Sequence, residues 1–137
     1  IQVRATAMSE AGDFPDDPTL VPRMMAFHDE MAKAGVLLDG AGLQPSSQGF
    51  RLQYDAAGQA RVVDGPFAET KELIAGYTLI EVRSRDEALA WARRFPAPFP
   101  GQPCCIEVRP LMGGIDLPPE DAERIIREQL AAIKRGP

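Results

Sequence analysis

The chain has 137 residues, of which 45% are hydrophobic and 26% charged. This length and balance indicate one compact domain over residues 1–137 rather than a disordered or multidomain chain. The formal net charge is -5, and an acidic surface repels phosphate backbones, which argues against nucleic acid as a direct partner.

The sequence also argues against several other classes of protein. No apolar run approaches the roughly 20 residues of a membrane span, and residues 1–8 lack the basic start and apolar run of a signal peptide. Cys104 and Cys105 are adjacent, so in a strand they point to opposite faces and a bond between them would be strained. One histidine and no CxxC pair predict no zinc site, and no motif indicates a cofactor. We therefore predict a reduced, cytoplasmic protein without a metal.

The first elements follow from hydrophobic spacing. Alternation over residues 1–8 predicts a strand, and the Gly-, Pro- and acid-rich residues 9–18 predict an exposed loop. Apolar residues then recur at helical spacing, which predicts a helix that starts after Asp17 or Thr19 and runs to about Ala34.

The middle of the chain has the pattern of strands. Residues 36–43 predict a short strand that leads into a Gly-rich turn. Residues 50–65 predict a β-hairpin, because two strand-like runs flank a turn in which Gly58 can adopt positive φ.

The last third repeats a strand–helix order. Residues 76–83 predict a strong strand, and a capping box at Ser84 opens the next helix. Residues 104–111 predict the last strand, and a final helix is expected to begin near Pro118 or Pro119.

The order of these elements predicts the fold class. Without the hairpin and the last helix it is βαββαβ, so we expect an α+β, ferredoxin-like fold with an inserted β-hairpin and an extra C-terminal helix. In that fold the first strand lies between the third and the last core strands, and two helices cover one face of the sheet.

The face left uncovered is the first candidate site. Strand alternation places polar and charged side chains together on it, and the ligand-binding candidates are Arg4, Tyr77, Glu81, Glu107 and Arg109. One interpretation is a solvated face with paired charges. The other is a cavity enclosed by two stacked protomers, which these residues would line and which could hold a small polar or anionic ligand.

The stretch "VVDGPFAETKELIAGYTLIEV", residues 62–82, is the most specific motif of the sequence. It resembles the signature of the DGPF subgroup of the YCII-related family, and the resemblance extends over nearly the whole chain. It implies a ferredoxin-like fold and a homodimer of the dimeric α/β-barrel type. It also implies a bacterial protein associated with extracytoplasmic-function sigma factors.

The charged residues of this motif are the second candidate site. Asp64, Glu69, Lys71 and Glu72 could rim the mouth of a pocket, where Lys71 would attract an anion. Alternatively, the motif is an architectural turn, because Asp64-Gly65 has turn chemistry and Pro66 fixes the exit direction.

His28 is the only histidine and a third candidate. We favour a hydrogen-bonded residue at the edge of the core over a catalyst, since no partner is evident nearby. The wider family implies a His–Asp acid–base pair, whose positions correspond here to Met24 or Met25 and to Ala97. Because both positions of the pair are replaced here, the sequence favours a binding role over the acid–base catalysis of the wider family.

Two functions therefore compete. The first is a small-molecule-binding or accessory protein, for example a regulator, that is linked to a sigma-factor system. The second is a cofactor-free enzyme of the lyase or isomerase type that uses a polar cavity at the dimer interface, with a carboxyl such as Glu107 as acid or base.

Overall fold

The computed structural model describes residues 1–112, 124–129 and 131–132. The strands are β1 (Gln2–Arg4), β2 (Leu37–Gly42), β3 (Phe50–Tyr54), β4 (Ala60–Asp64), β5 (Ile74–Ile80) and β6 (Ile106–Glu107). The helices are α1 (Ala7–Glu10), α2 (Leu20–Lys33) and α3 (Arg85–Arg93), with short 3-10 turns at Ser46–Gln48 and Thr70–Glu72. Residues 124–129 and 131–132 are also helical.

The strands form two antiparallel sheets. The larger sheet has the order β2-β5-β1-β6, and β3 pairs with β4 as a separate hairpin. The first strand thus lies between β5 and β6, in the position that the sequence predicts for it. Antiparallel sheets combined with helices are consistent with the α+β class.

Helix α2 supplies the centre of the core. Phe27 and Met31 are buried together with Val36, and Trp91 and Phe95 pack against them from the region of α3. The ring of Phe27 meets the rings of Trp91 and Phe95 edge-to-face at 6.1 and 5.7 Å between centroids. Helices α2 and α3 therefore pack on the same face of the sheet.

The start of α2 is fixed by a carboxylate three residues before the helix. Asp17 accepts hydrogen bonds from the backbone N–H of Thr19 at 2.9 Å and from its hydroxyl, and it forms an ion pair with Arg23. The bonds from Thr19, and then the charge of Arg23, hold the pKa of Asp17 below its usual value.

Two predicted strands are shorter than expected. The first was predicted over residues 1–8, but it ends at Arg4, because Thr6 caps α1 by accepting from the Ser9 N–H at 3.2 Å while the Ser9 hydroxyl oxygen accepts from the Thr6 N–H at 2.9 Å. The last was predicted over residues 104–111 but is only Ile106–Glu107. Among the strands of the described residues it pairs only with β1, which is itself three residues long.

The predicted hairpin and the predicted cap of α3 agree with the structure. The hairpin forms as predicted, with Gly58 at φ 81° in its turn. Ser84 caps α3 by accepting from the Glu87 N–H at 3.1 Å. Strand β2 continues through Gly40 and Gly42 instead of ending before them. The predicted start of the final helix lies outside the described residues.

The first prediction concerns the core of α2. Met31 has no exposed surface, whereas Met25 on the same helix is 68% exposed. We expect Met31→Ala to lower the free energy of unfolding by about 2 to 5 kcal/mol through lost burial and a residual cavity. Met25→Ala is the matched control and should change it by no more than about 0.5 kcal/mol. Urea unfolding followed by Trp91 fluorescence measures both, and equal effects would contradict this packing.

Candidate functional site

A cavity of about 750 Å³ lies between α2 and the larger sheet. Its floor is formed by parts of β2 and β5, its roof by the first half of α2, and its sides by the loop after α1 and by residues 95–99. The side chains and backbone that line it are largely apolar, including Phe14, Leu20, Val21, Met24, Met25, Leu43, Phe95, Pro98 and Phe99. This size and this lining are typical of sites for small organic molecules.

The floor of the cavity is flat because glycines form it. A Cβ at Gly40 would lie 3.7 Å from the imidazole ring of His28, so the face of β2 that bears Gly40 is turned toward α2. Gly42 follows two residues later on the same face, and nothing lies within 4 Å of the position of its Cβ. At Gly76 a Cβ would lie 2.9 Å from the Ala41 carbonyl oxygen, so this glycine permits the close approach of β5 to β2.

His28 lies at the inner end of the cavity and contacts both α2 and β5. Its Nδ1 lies 2.8 Å from the Met24 carbonyl oxygen, and its Nε2 lies 2.8 Å from the hydroxyl oxygen of Thr78. A carbonyl oxygen can only accept, so Nδ1 carries the hydrogen, and in the neutral ring Nε2 accepts from the Thr78 hydroxyl. The interpretation of His28 as a hydrogen-bonded residue at the core edge agrees with these contacts, and His28 also lines the cavity.

The face of the sheet away from the helices brings some predicted site residues together. Gln2 is directly opposite both Tyr77 and Glu107, so these three side chains form one row on this face. The Tyr77 hydroxyl donates to Asp39 at 3.1 Å, and this bond, followed by the charge of Asp39, raises the pKa of Tyr77.

The other predicted residues of this face lie apart from that row. The Arg4 guanidinium donates to the backbone carbonyl of Lys71, so it holds the end of the loop formed by residues 64–72. Glu81 and Arg109 are exposed and lie beyond the ends of β5 and β6. Among the five candidates of this face, only Tyr77 also borders the cavity.

The four charged candidates of the loop formed by residues 64–72 do not line the cavity. Asp64, Glu69, Lys71 and Glu72 are all exposed, and none belongs to the residues that form the cavity. Within the single chain they therefore face solvent.

The backbone of this loop is anchored to the turn that contains Ser46. The Ser46 hydroxyl oxygen accepts from the Phe67 N–H at 3.1 Å and donates its own hydrogen to Glu10. Glu10 also accepts from the Ser46 N–H at 3.1 Å. The Arg51 guanidinium stacks over the Phe67 ring at 3.8 Å from its centroid. These contacts give the motif an architectural role, because they hold the backbone of the loop against the turn at Ser46.

The cavity was missed by reasoning from the sequence. Charged residues directed attention to the uncovered face, whereas the cavity is lined by residues that look like ordinary core, such as Met24 and Met25. One signal was present, because the resemblance aligns Met24 or Met25 and Ala97 with the expected positions of a His–Asp pair. Both methionines and Pro98, the neighbour of Ala97, border the cavity.

Three other kinds of feature in the described part of the chain do not provide a further candidate site. A depression of about 430 Å³ at the hairpin tip is lined by one exposed hairpin alone, so nothing opposes a ligand there. No group of three or more His, Cys, Asp or Glu residues is arranged to hold a metal within residues 1–112, 124–129 and 131–132. None of the helices in those ranges is long and apolar enough to cross a membrane.

Comparison with known proteins identifies the family. Residues 5–112 match the YCII-related domain, and the chain belongs to the YCII-related family. It is 36% identical over 105 residues to an uncharacterized protein of Rhizobium meliloti (strain 1021), an alignment that covers 77% of this chain and 83% of the relative. The YCII-related part of the resemblance is thereby confirmed.

The second prediction tests the anchored loop. A Cβ at Gly65 would collide with the carbonyl group of Ser46, whereas a Cβ at Gly49 would have its nearest neighbour at 3.7 Å. Since backbone must move to admit it, we expect Gly65→Ala to cost about 2 kcal/mol or more of unfolding free energy. Gly49→Ala, at a φ of -116° that alanine adopts readily, is the control. Equal stability of the two variants in urea would contradict the close approach of the loop to Ser46.

Proposed function

We propose that this protein binds a small molecule in the cavity between α2 and the sheet. The observation that carries the proposal is a volume of about 750 Å³ with a mainly apolar lining and one polar pair, His28 and Thr78, at its inner end. Few polar groups in an apolar pocket fix the orientation of a ligand. This site is on the helix side of the sheet, not on the charged face.

A second candidate function is a cofactor-free enzyme that uses the same cavity. The observation that favours it is the 2.8 Å contact between His28 Nε2 and the Thr78 hydroxyl, which places a base against a hydroxyl while the Met24 carbonyl orients the ring. Binding is better supported, because both ring nitrogens are already engaged and no second acid or base lies beside them among the described side chains. A compound consumed by the wild-type protein and not by His28→Gln would establish the enzyme.

We also propose the finer assignments that the resemblance implies. The strand order β2-β5-β1-β6 supports a ferredoxin-like topology, and the run Asp64-Gly65-Pro66-Phe67 supports the DGPF subgroup. The link to an extracytoplasmic-function sigma factor and the cytoplasmic location stay predictions.

A homodimer is the assembly that we propose. One face of the hairpin carries four large apolar side chains, Phe50, Leu52, Tyr54 and Val62, whose exposed fractions lie between 46 and 68%. Leu52 is directly opposite Val62, so they share this face. A continuous exposed apolar patch of this kind is typical of a surface that a partner covers, and the uncovered sheet face with Leu79 extends the apolar surface available.

The third prediction tests this assembly. Light scattering of the wild-type chain at micromolar concentration should give twice the chain mass of 14.9 kDa. Leu52→Asp should shift the equilibrium toward the monomer, whereas Gln53→Asp, on the other face of the same strand, should not. A wild-type monomer at these concentrations would overturn the proposed dimer.

The fourth prediction tests the cavity itself. Because the Cβ position of Gly42 is open and faces the cavity, Gly42→Phe should fill part of it without a backbone clash. We expect small aromatic fragments that bind the wild-type chain, as detected by ligand-observed NMR, to lose binding to Gly42→Phe by about tenfold or more. Gly42→Ala is the control and should retain binding. Equal binding to all three proteins would place the fragments elsewhere.

A further inference from the structure

We propose that the ligand of this cavity is a small aromatic amine rather than an anion. This inference rests on the proposed binding function and adds the chemical class of the ligand. It differs from the anionic ligand that Lys71 and Arg109 suggested at the sequence level, because neither residue borders the cavity.

The charges around the cavity favour a cation. Among the described residues that line it, none is Lys or Arg, and Asp13 is the one carboxylate. The Asp13 carboxylate makes no hydrogen bond or ion pair within residues 1–112, and the chain as a whole carries a net charge of -5.

Two arginines, one in α2 and one directly after α3, do not offset the negative charge of Asp13. Arg23 is paired with Asp17 at 3.0 Å, and Arg94 is paired with Glu30. An anionic ligand would therefore enter an apolar space without a partner for its charge, which is costly. A cationic amine at the mouth would instead meet Asp13.

The hydrogen-bonding groups of the lining favour a ligand that donates. With Nδ1 of His28 on the Met24 carbonyl, the Thr78 hydroxyl gives its hydrogen to Nε2, so its oxygen has only acceptor capacity left. The Ser9 hydroxyl likewise donates its hydrogen to the Thr6 carbonyl at 3.0 Å, so its oxygen also has only acceptor capacity to offer. A ligand N–H is matched by these acceptors, whereas a carboxylate would find little beyond the Gln44 amide.

The shape of the cavity favours an aromatic ring. Its floor has no side chains at Gly40, Gly42 and Gly76, and its walls include aromatic rings and flexible thioethers. The walls are formed in part by Phe14, Phe95, Phe99, Met24 and Met25. Aromatic faces and methionine sulfur both contact aromatic rings favourably, and aromatic faces also attract cations.

Three probes with the same ring separate these effects. Indole is neutral, tryptamine is cationic and indole-3-acetate is anionic, and calorimetry with the full chain at one pH and ionic strength measures each dissociation constant. We expect tryptamine to bind about tenfold tighter than indole-3-acetate, with indole between them. Asp13→Asn should reduce the preference for tryptamine and leave indole unchanged. Asp16→Asn, an exposed carboxylate outside the cavity, should change neither.

The outcomes distinguish the ligand class from the binding function. Indole-3-acetate binding as tightly as tryptamine, with binding lost in Gly42→Phe, would overturn the amine and leave the binding site standing. A tryptamine preference that survives Asp13→Asn would also overturn the proposed role of the charge. Binding of none of the probes, or equal binding to Gly42→Phe, would overturn the proposed site and the ligand class with it.

Discussion

The packing of α2 across the larger sheet determines both the core and the candidate site. The second half of the helix buries Phe27 and Met31 against the sheet and α3. The first half, from Leu20 to Met25, borders open space instead. His28 lies at the boundary, where its bonds to Met24 and Thr78 tie the helix to β5. The cavity therefore exists because only the second half of α2 packs closely against the sheet.

The difference between the two halves of α2 results from the sizes of the side chains along β2 and β5. At the core end, Leu37 and Ile80 are large and pack against the buried cluster. At the cavity end, Gly40 and Gly42 present no side chains, so nothing fills the space below α2. The same strand thus supplies core at one end and a binding floor at the other.

The elements that were predicted correctly depend on local chemistry. Gly58 in its turn and Ser84 at its cap act within a few residues, and the hairpin and α3 follow from them. The short helix α1 was missed, because the alternating pattern of the first residues concealed the reciprocal bonds between Thr6 and Ser9. The lengths of β1 and β6 depend on how far each pairs with its neighbour, which no local pattern contains.

The site was harder to predict than the fold for a physical reason. Charged residues such as Glu81 and Arg109 stand out in a sequence, yet they lie beyond the ends of their strands. Apolar residues that line a cavity have the same spacing as residues that fill a core, so Met24 and Met31 cannot be told apart until the helix is placed. His28 was predicted at the core edge as a hydrogen-bonded residue, and its contact with a cavity depends on Gly40 across from it.

Methyl NMR of the methionines tests most directly whether a small molecule binds beneath α2. Met24 and Met25 border the cavity, whereas Met31, on the same helix, is fully buried in the core and Met112 is exposed. Titration with indole should shift the methyl resonances of Met24 and Met25 in a saturable manner and leave Met112 unchanged, with at most a small effect on Met31. Saturable shifts confined to Met112, or no shift at Met24 and Met25 when binding is detected by calorimetry, would contradict the cavity as the binding site.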